Sequence, residues 1–283
     1  MTWFERMKKG IRWPGKKREI PDGLWMKCPS CKAVLWSKRL QQNQEVCPDC
    51  EYHFRIGAPH RIELMLDAES FVELDAHVRS KDVLGFPEYR KKIRGDQKRT
   101  GLPSVLIGGC GRIESREIVI GVSDARFRMG SMASAMGEKI RRLILSARER
   151  GWPLILVSGS GGGARMQEGT LSLMQMAKTA ALLGELARDS IPYILVLTDP
   201  TGGGVTASFA MLGDINIAEP GAKIMFTGRP GDEFLRGQEI PLNFQTAEFF
   251  FERGMVDRIV HRHQLRAIVA QVLGLLQDGR MKR

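Results

Sequence analysis

The sequence predicts an α/β domain with mainly parallel strand pairing, preceded by a small zinc-binding module. From about residue 57 onward, short continuous apolar segments alternate with segments of helical periodicity, which is typical of buried strands in βα repeats. Glycine-rich loops follow two of these apolar segments. Four of the five cysteines lie within 23 residues, as two Cys-x-x-Cys pairs.

The chain has 283 residues and is expected to divide into a basic lead (1–23), a ribbon (24–56) and an α/β domain (57–283). Its hydrophobic content of 43% excludes wholesale disorder. No apolar run reaches the ~18–20 residues that a membrane-spanning helix needs, so no membrane insertion is expected. The N-terminus lacks the apolar core of a secretory signal, which predicts a cytoplasmic location.

Positive charge is concentrated at the start of the chain. The formal net charge is +11, and residues 1–18 hold seven basic groups against one acid. Trp3, Phe4 and Trp13 are interleaved with these groups, so the lead could bind nucleic acid or an anionic membrane surface. The alternative is a solvated, poorly ordered tail.

The clustered cysteines predict a structural zinc site. Cys28 and Cys31 form one pair, Cys47 and Cys50 the other, and fifteen residues separate the pairs. Each pair presents two thiolates from one tight turn, and two pairs complete a tetrahedron around Zn²⁺ with no position left for water. The alternatives are iron–sulfur ligation or two disulfides. Cys110 is interpreted as a strand or turn residue rather than a nucleophile.

The α/β domain is expected to begin with two short strands among glycines and to continue as strand–loop–helix units. Gly151-Trp152-Pro153 ends the first long helix, and Pro192 introduces a strand. The predicted strands are Val105–Ile107, Ile118–Val122, Leu154–Val157, Tyr193–Leu197, Ile215–Ile217 and Ile224–Phe226. The predicted helices are 133–150, 169–190, one that begins near Val205, 245–254 and 262–278.

The two glycine-rich loops are the candidate functional site. Ser160–Arg165 and Thr201–Val205 each follow a strand and precede a predicted helix. Consecutive glycines expose backbone N–H groups, which suits a phosphate or a developing oxyanion. Neither loop matches the phosphate-binding Walker or G-x-G-x-x-G patterns, and tight turns without a ligand are the alternative. The segment Met129–Ser134 could add to the same rim.

The loops hold no Ser-His-Asp set that spacing can assemble, and the five histidines lie elsewhere. Arg165 could hold an anionic substrate group or a carboxylate of the scaffold. Asp199 and Glu168 are interpreted as helix caps or ion-pair partners. The pattern favours chemistry by backbone donors, with the proton acceptor supplied by a substrate or cofactor.

Several long motifs resemble the carboxyltransferase beta subunit of bacterial-type acetyl-coenzyme A carboxylase, and the four-cysteine ribbon belongs to the same family pattern. The motifs are Gly162–Gly169, Ser172–Lys178, Leu197–Thr201, Ala207–Asp214 and Asn216–Pro220. The resemblance runs from about residue 24 to the C-terminus. It implies a crotonase-like spiral of ββα units behind the zinc ribbon.

The resemblance also implies site residues. Gly162 and Gly163 are the expected backbone donors to the oxyanion of a thioester enolate. Four further residues are expected to line the substrate site: Gly203, Gly204, Arg165 and Ser131.

The implied reaction moves a carboxyl group from carboxybiotin, carried on a separate biotin carboxyl carrier protein, to acetyl-CoA. The product is malonyl-CoA for fatty acid synthesis. The implied partners are a carboxyltransferase alpha subunit, in an α₂β₂ assembly, and biotin carboxylase. No Met-Lys-Met biotin attachment motif is present in this chain. The positive charge also suits the phosphates of coenzyme A.

The sequence departs from the family pattern in two places. Met129 stands where the family usually has glycine, and Gly228–Gly231 transposes an arginine and a proline ahead of an atypical segment, Asp232–Pro241. Two other functions stay open. One is a decarboxylase subunit acting on a malonyl-type thioester. The other is a nucleic-acid-binding zinc-ribbon protein, for which the basic lead and ribbon residues Lys27, Lys32, Lys38 and Arg39 are the support.

Overall fold

The computed structural model describes residues 23–226, 241 and 243–278. The expectations for residues 1–22 of the basic lead and for the atypical segment 228–240 lie outside the described residues. Within the described part of the chain, no helix is both long and apolar enough to cross a bilayer.

The described elements follow the predicted alternation. The strands are β1 (Trp25–Lys27), β2 (Val34–Trp36), β3 (Val72–Glu73), β4 (Leu106–Ile113), β5 (Arg116–Ser123), β6 (Leu154–Ser160), β7 (Tyr193–Gly202), β8 (Ile215–Ala218), β9 (Ile224–Met225) and β10 (Arg258–Ile259). The α-helices are α1 (Ser37–Gln42), α2 (Ala58–Met65), α3 (Tyr89–Thr100), α4 (Ser134–Arg150), α5 (Thr170–Arg188), α6 (Ala247–Phe251) and α7 (Arg262–Asp278). Short 3₁₀ turns occupy Arg128–Gly130, Met166–Glu168 and Phe209–Met211.

One large sheet organises the α/β domain. Its order is β10-β8-β7-β6-β5-β4-β3, and β9 pairs with β7. The strands from β5 to β10 pair in parallel, whereas β3, β4 and β5 pair antiparallel. The prediction of an α/β fold with mainly parallel pairing is confirmed. The carboxyl ends of β5, β6 and β7 therefore meet at one edge of the sheet.

The core forms because the central strands are apolar on both faces. Every residue of β6 is buried, and helix α4 covers the sheet with Met136, Ile140, Leu143 and Ile144. Gly151 ends α4 in the left-handed conformation, with φ of +68°, as the stop signal predicts.

The helix predicted to begin near Val205 is wrong. Residues 203–208 form turns that lead into the 3₁₀ turn Phe209–Met211. The Ser208 hydroxyl donates to the carbonyl of Gly204 across 2.6 Å, and the Thr206 hydroxyl donates to the carbonyl of Met225 across 2.9 Å. These side-chain hydrogen bonds compete with helical backbone pairing.

The ribbon has a small core of its own. Strands β1 and β2 pair antiparallel, and a cluster apart from the main core contains Cys28, Leu35, Leu40, Cys47 and Phe54. So few buried side chains cannot stabilise a module of about 30 residues without a further cross-link.

Candidate active site at the glycine loops

The two glycine loops lie side by side and touch through their backbones. Ser160 pairs with Thr201 at the ends of β6 and β7, which brings the following residues together. A Cβ on Gly203 would lie 2.9 Å from the Cα of Gly163, and Gly203 has φ of +62°. Only glycine fits at this position, because any side chain would push the first loop away.

The segment that precedes α4 forms the third side of the site, as predicted. Met132 donates its N–H to the carbonyl of Gly163 across 3.0 Å, and Arg165 donates its N–H to the carbonyl of Met132 across 2.8 Å. The N–H of Gly162 donates to the carbonyl of Met129 across 2.8 Å. Backbone hydrogen bonds therefore hold the first loop, from Gly162 to Arg165, against this segment.

These bonds decide which N–H groups are available. The amide of Gly162 is already engaged, so the geometry does not favour it as an oxyanion donor. No described residue accepts a hydrogen bond from the N–H of Gly163, Ala164 or Gly204. The Cβ position of Gly204 lies 3.1 Å from the nitrogen of Ala164, and that of Gly163 lies 3.6 Å from the nitrogen of Gly204. Three N–H groups without a described acceptor thus lie close together where the two loops meet.

The loops do not open helices directly, which corrects the sequence prediction. The first loop leads into the 3₁₀ turn Met166–Glu168, and α5 begins at Thr170. The second loop leads into turns. The donors are therefore oriented by contacts with neighbouring segments rather than by the dipole at a helix N-terminus.

Arg165 lies inside the scaffold. Its side chain is 1% exposed. The guanidinium donates to the hydroxyl of Ser131 (3.0 Å), the carbonyl of Ser131 (3.0 Å), the hydroxyl of Tyr89 (3.1 Å) and the hydroxyl of Ser80 (3.4 Å). This is the scaffold alternative left open by the sequence, and direct substrate contacts by Arg165 and Ser131 stay predictions.

Glu168 completes the network under the first loop. Its carboxylate is fully buried, 3.7 Å from the Arg165 guanidinium, and accepts hydrogen bonds from the Tyr89 hydroxyl (2.6 Å) and the Ser134 N–H (2.7 Å). Burial raises the pKa of Tyr89 above its usual value, so this hydroxyl keeps its proton and acts as a donor. The network joins helix α3, the segment Met129–Ser134 and the first glycine loop.

Replacing Arg165 with leucine is expected to lower the free energy of unfolding by about 3–5 kcal/mol, because it leaves the buried Glu168 carboxylate without its cation. Urea denaturation of the purified variant measures this. As a control, Arg141→Leu removes an ion pair to Glu138 on a helix surface and is expected to cost under about 1 kcal/mol. Equal losses for the two variants would contradict the proposed role of the network.

A cavity of about 440 Å³ opens beside the glycine loops at the carboxyl ends of β5, β6 and β7. Met129, whose carbonyl holds Gly162, is on its wall. Its charged lining consists of Arg55, Arg61, Arg99, Arg126, Arg128, Asp96, Asp124 and Asp199. Arg61 is paired with the buried Glu219, and the other four guanidinium groups face three carboxylates. The excess of one positive charge suits an anionic ligand.

The four predicted zinc ligands meet at one point. Their sulfur atoms all lie within 4.8 Å of one another. The Cys28 and Cys50 sulfurs are 3.7 Å apart, and the Cys31 and Cys47 sulfurs 3.8 Å. A tetrahedral Zn²⁺ with bonds of ~2.3 Å requires sulfurs about 3.8 Å apart, whereas a disulfide requires about 2.05 Å. The residues therefore fit a structural zinc ion.

Two family models match the chain. The carboxyl transferase domain matches residues 56–273, and the acetyl-CoA carboxylase zinc finger domain matches residues 25–50. The second match favours zinc over iron–sulfur ligation at the four cysteines.

Curated relatives agree with both models. The acetyl-coenzyme A carboxylase carboxyl transferase subunit beta of Desulforamulus reducens is 52% identical, over 92% of this chain and 90% of that protein. The subunit beta of Desulforudis audaxviator is 48% identical, over 98% and 100%. A protein of Natranaerobius thermophilus named as subunits beta/alpha is 47% identical, over 92% of this chain and 43% of its own length.

Solved structures share the fold. The transcarboxylase 12S matches with a TM-score of 0.65 and 22% identity, over 84% of this chain and 42% of its own. A Pseudomonas malonate decarboxylase hetero-tetramer matches with a TM-score of 0.62 and 23% identity, over 79% and 82%. These likenesses establish the carboxyl transferase, crotonase-like architecture. With the two family models and the curated relatives, they show that this chain belongs to the beta-subunit family of acetyl-CoA carboxylase carboxyl transferases.

Proposed function

We propose that the glycine-loop cleft binds acetyl-CoA and stabilises its enolate while a carboxyl group arrives from carboxybiotin. The observation that carries this proposal is the proximity of the N–H groups of Gly163, Ala164 and Gly204, which have no described acceptor. Negative charge develops on the thioester oxygen only toward the transition state, so donors already aimed at that oxygen lower the barrier selectively.

The proposed step balances without a side-chain base. A methyl C–H bond of acetyl-CoA breaks and a C–C bond to the carboxyl carbon forms. The C–N bond between that carbon and the biotin ring breaks, and the ring nitrogen takes the methyl proton. The protein's contribution is to orient the thioester, hold the oxyanion and exclude water.

We propose a carboxyltransferase alpha subunit, in an α₂β₂ assembly, as the partner that completes the cleft. The carrier protein with its biotin, and biotin carboxylase, would act with that assembly. An apolar surface beside the first glycine loop supports an interface: Met166 is 82% exposed, and Leu171, Leu173 and Met174 are exposed on the first turns of α5. Patches of this kind mark protein contacts. The Natranaerobius relative carries both subunit names in one chain.

The arginine-lined cavity is the proposed site for the phosphates of coenzyme A. Met129 lies in the wall of this cavity and also contacts the first glycine loop. One extended ligand can therefore occupy the cavity and the glycine-loop cleft. Charge-assisted hydrogen bonds from guanidinium groups are the usual means of holding phosphate.

Replacing Arg99 with alanine is expected to raise KM for acetyl-CoA about tenfold and leave kcat nearly unchanged, because the phosphates lie far from the reacting carbon. The comparison substrate is acetyl-pantetheine, which lacks the phosphates. Its KM should be the same for Arg99→Ala and for the unchanged protein. Steady-state kinetics with both substrates measure the difference. An equal loss with both would mean that Arg99 does not contact the phosphates.

The function itself is tested by mixing the purified chain with its alpha subunit, acetyl-CoA and carboxybiotin. Malonyl-CoA formation is expected, and no product with both subunits folded would refute the proposal. The decarboxylase alternative is not favoured by the relatives. It predicts instead that malonyl-CoA is decarboxylated without biotin.

The ribbon is proposed to hold one structural Zn²⁺ and to fold in a reducing compartment, the cytoplasm, where its thiols stay available. Cys28, Cys31, Cys47 and Cys50 would be the ligands. The metal supplies cross-linking only, since four protein ligands leave no open position.

Weak nucleic-acid binding is a second candidate activity of the ribbon. Trp25 and Trp36 are cross-strand partners, 60% and 42% exposed, and the Lys38 ammonium lies 5.8 Å from the centre of the Trp36 ring. Exposed aromatics with adjacent cations suit stacking on single-stranded bases. Titration with single-stranded RNA at increasing salt tests it. Binding lost at 0.15 M salt or unaffected by Trp36→Ala would refute a specific role.

A further inference from the structure

The ribbon contacts the α/β domain beside the second glycine loop. The Nε of Arg55 donates to the Oδ2 of Asp199 across 2.8 Å. Asp199 lies in β7, three residues before Gly202. Its other oxygen, Oδ1, is shielded from solvent and has no described hydrogen-bond partner. The carboxylate of Asp199, just before the second glycine loop, is therefore held by a residue of the ribbon.

The position of Arg55 is fixed because the buried Arg262 side chain attaches the end of the ribbon to the α/β domain. The Arg262 guanidinium donates to the backbone carbonyls of Gln44, Glu45 and Phe54 at 2.9–3.1 Å. It also donates to both carboxylate oxygens of Glu219, at 2.8 and 2.7 Å. Phe54 directly precedes Arg55, so the backbone at Arg55 is anchored to helix α7.

Ion pairs with Glu219 stabilise this attachment of the ribbon to the α/β domain. Glu219 is buried and also accepts from Arg61 across 2.5 Å. Burial opposes ionisation, but Arg61 and Arg262 nevertheless hold the pKa of Glu219 well below its usual value. The carboxylate therefore stays charged at neutral pH, and the ribbon end stays fixed to the domain.

The opposite side of β7 is held differently. The hydroxyls of Thr198 and Thr201 both donate to the carbonyl of Ser158 in β6, at 2.7 and 3.1 Å. Strand β9 holds the loop as well, because the N–H groups of Thr201 and Gly203 donate to the carbonyls of Lys223 and Met225 at 2.8 and 2.9 Å. The start of the second glycine loop is thus supported by β6, by β9 and, through Asp199, by the ribbon's Arg55.

We propose that Arg55 is a positioning residue for carboxyl transfer: through Asp199 it fixes the second glycine loop, so that the N–H of Gly204 stays aimed at the oxyanion. The inference rests on the proposed function. It gives the zinc ribbon a part in catalysis, as the rigid base that carries Arg55.

The contact is suited to a rate effect rather than a stability effect. The Arg55 side chain is half exposed, and exposed ion pairs typically contribute less than about 1 kcal/mol to folding. A displacement of about 1 Å at a reacting centre, in contrast, can cost up to about 100-fold in rate.

The test compares Arg55→Ala, Arg55→Lys, Asp199→Asn and the double variant Arg55→Ala/Asp199→Asn, each assembled with the alpha subunit. We expect Arg55→Ala to lower kcat about tenfold with KM for acetyl-CoA nearly unchanged. Lysine should restore about half of the lost rate. Asp199→Asn should lower kcat similarly, and the double variant no further, because the two residues act through one contact. The matched control is Arg148→Ala, which removes an ion pair to Glu185 on the helix surface and should leave kcat unchanged.

Two kinetic results would overturn the proposal. An unchanged kcat for Arg55→Ala would show that the loop needs no support from the ribbon. A rise in KM alone would make Arg55 a substrate contact in the arginine-lined cavity.

A second readout is independent of the reaction. Amide hydrogen exchange of the peptide covering residues 199–205 should be faster in Arg55→Ala than in the wild type, without alpha subunit or substrate. If the wild-type assembly transfers no carboxyl group, the proposed function fails while this measurement still decides the role of Arg55. Unchanged exchange would refute that role.

Discussion

Replacing Gly203 with alanine is expected to lower kcat for malonyl-CoA formation by about 100-fold. The new Cβ would lie 2.9 Å from the Cα of Gly163, a backbone atom that cannot rotate away. The first loop must therefore move, and the N–H groups of Gly163 and Gly204 would no longer be placed to donate to the same oxyanion. Left-handed backbone adds a folding cost of about 1–2 kcal/mol, which a domain of this size tolerates. Single-turnover kinetics with the alpha subunit measure the rate.

Gly184→Ala is the matched control. Gly184 lies within α5, and nothing lies within 4 Å of its Cβ position. Alanine there should raise the free energy of unfolding by about 0.8–1.0 kcal/mol, since glycine is a poor helix former, and should leave kcat unchanged. Two variants with the same chemical change would thus differ in rate. Equal rates would show that the contact between the loops does not matter for the reaction.

Local sequence patterns were sufficient for most of the architecture. Continuous apolar segments such as Leu154–Val157 predict buried strands because no polar side chain interrupts them, and β6 is buried throughout. Helix α4 ends at Gly151, where glycine takes the positive φ that other residues avoid. The four cysteines are a local signal too, since each pair comes from a single turn. These features depend on neighbours in the chain.

The features that the sequence could not predict depend on residues far apart in the chain. Nothing local shows that the Gly162 amide is taken by Met129, or that the Ala164 amide is unpaired. The helix expected at Val205 fails because the Thr206 hydroxyl finds a carbonyl of β9. An alanine has no side-chain chemistry to signal a donor, so Ala164 was missed.

Charged residues show the same limit. The sequence left Arg165 open between a substrate anion and a scaffold carboxylate. Its burial against Ser131 and Tyr89 follows only from the packing of α3 and the rim around it. The pairing of Arg55 with Asp199 spans 144 positions. A charge pattern in one chain cannot identify such partners, because each residue type has many candidates.

Replacing Cys47 with serine is expected to abolish zinc binding and unfold the ribbon while the α/β domain stays folded. The ribbon core contains five buried residues, so its stability depends on the metal, whose apparent binding free energy in comparable modules is about 10–16 kcal/mol. Metal analysis should show a fall from about one zinc per chain to none. Hydrogen exchange should show loss of protection over residues 24–56.

The same variant should lower kcat at least as far as Arg55→Ala, about tenfold, because Arg55 loses its anchored base. Cys110→Ser is the matched control. Cys110 lies in β4, outside the four-sulfur cluster, so zinc content and rate should both stay at the wild-type level. If Cys47→Ser lost its zinc but kept its kcat, the ribbon would be a separate module and the support of the second glycine loop would come from β6 and β9. If kcat fell in Cys47→Ser but not in Arg55→Ala, the ribbon would act on the reaction through a contact other than Arg55–Asp199. The two variants together therefore separate the effect of the metal from the effect of this ion pair.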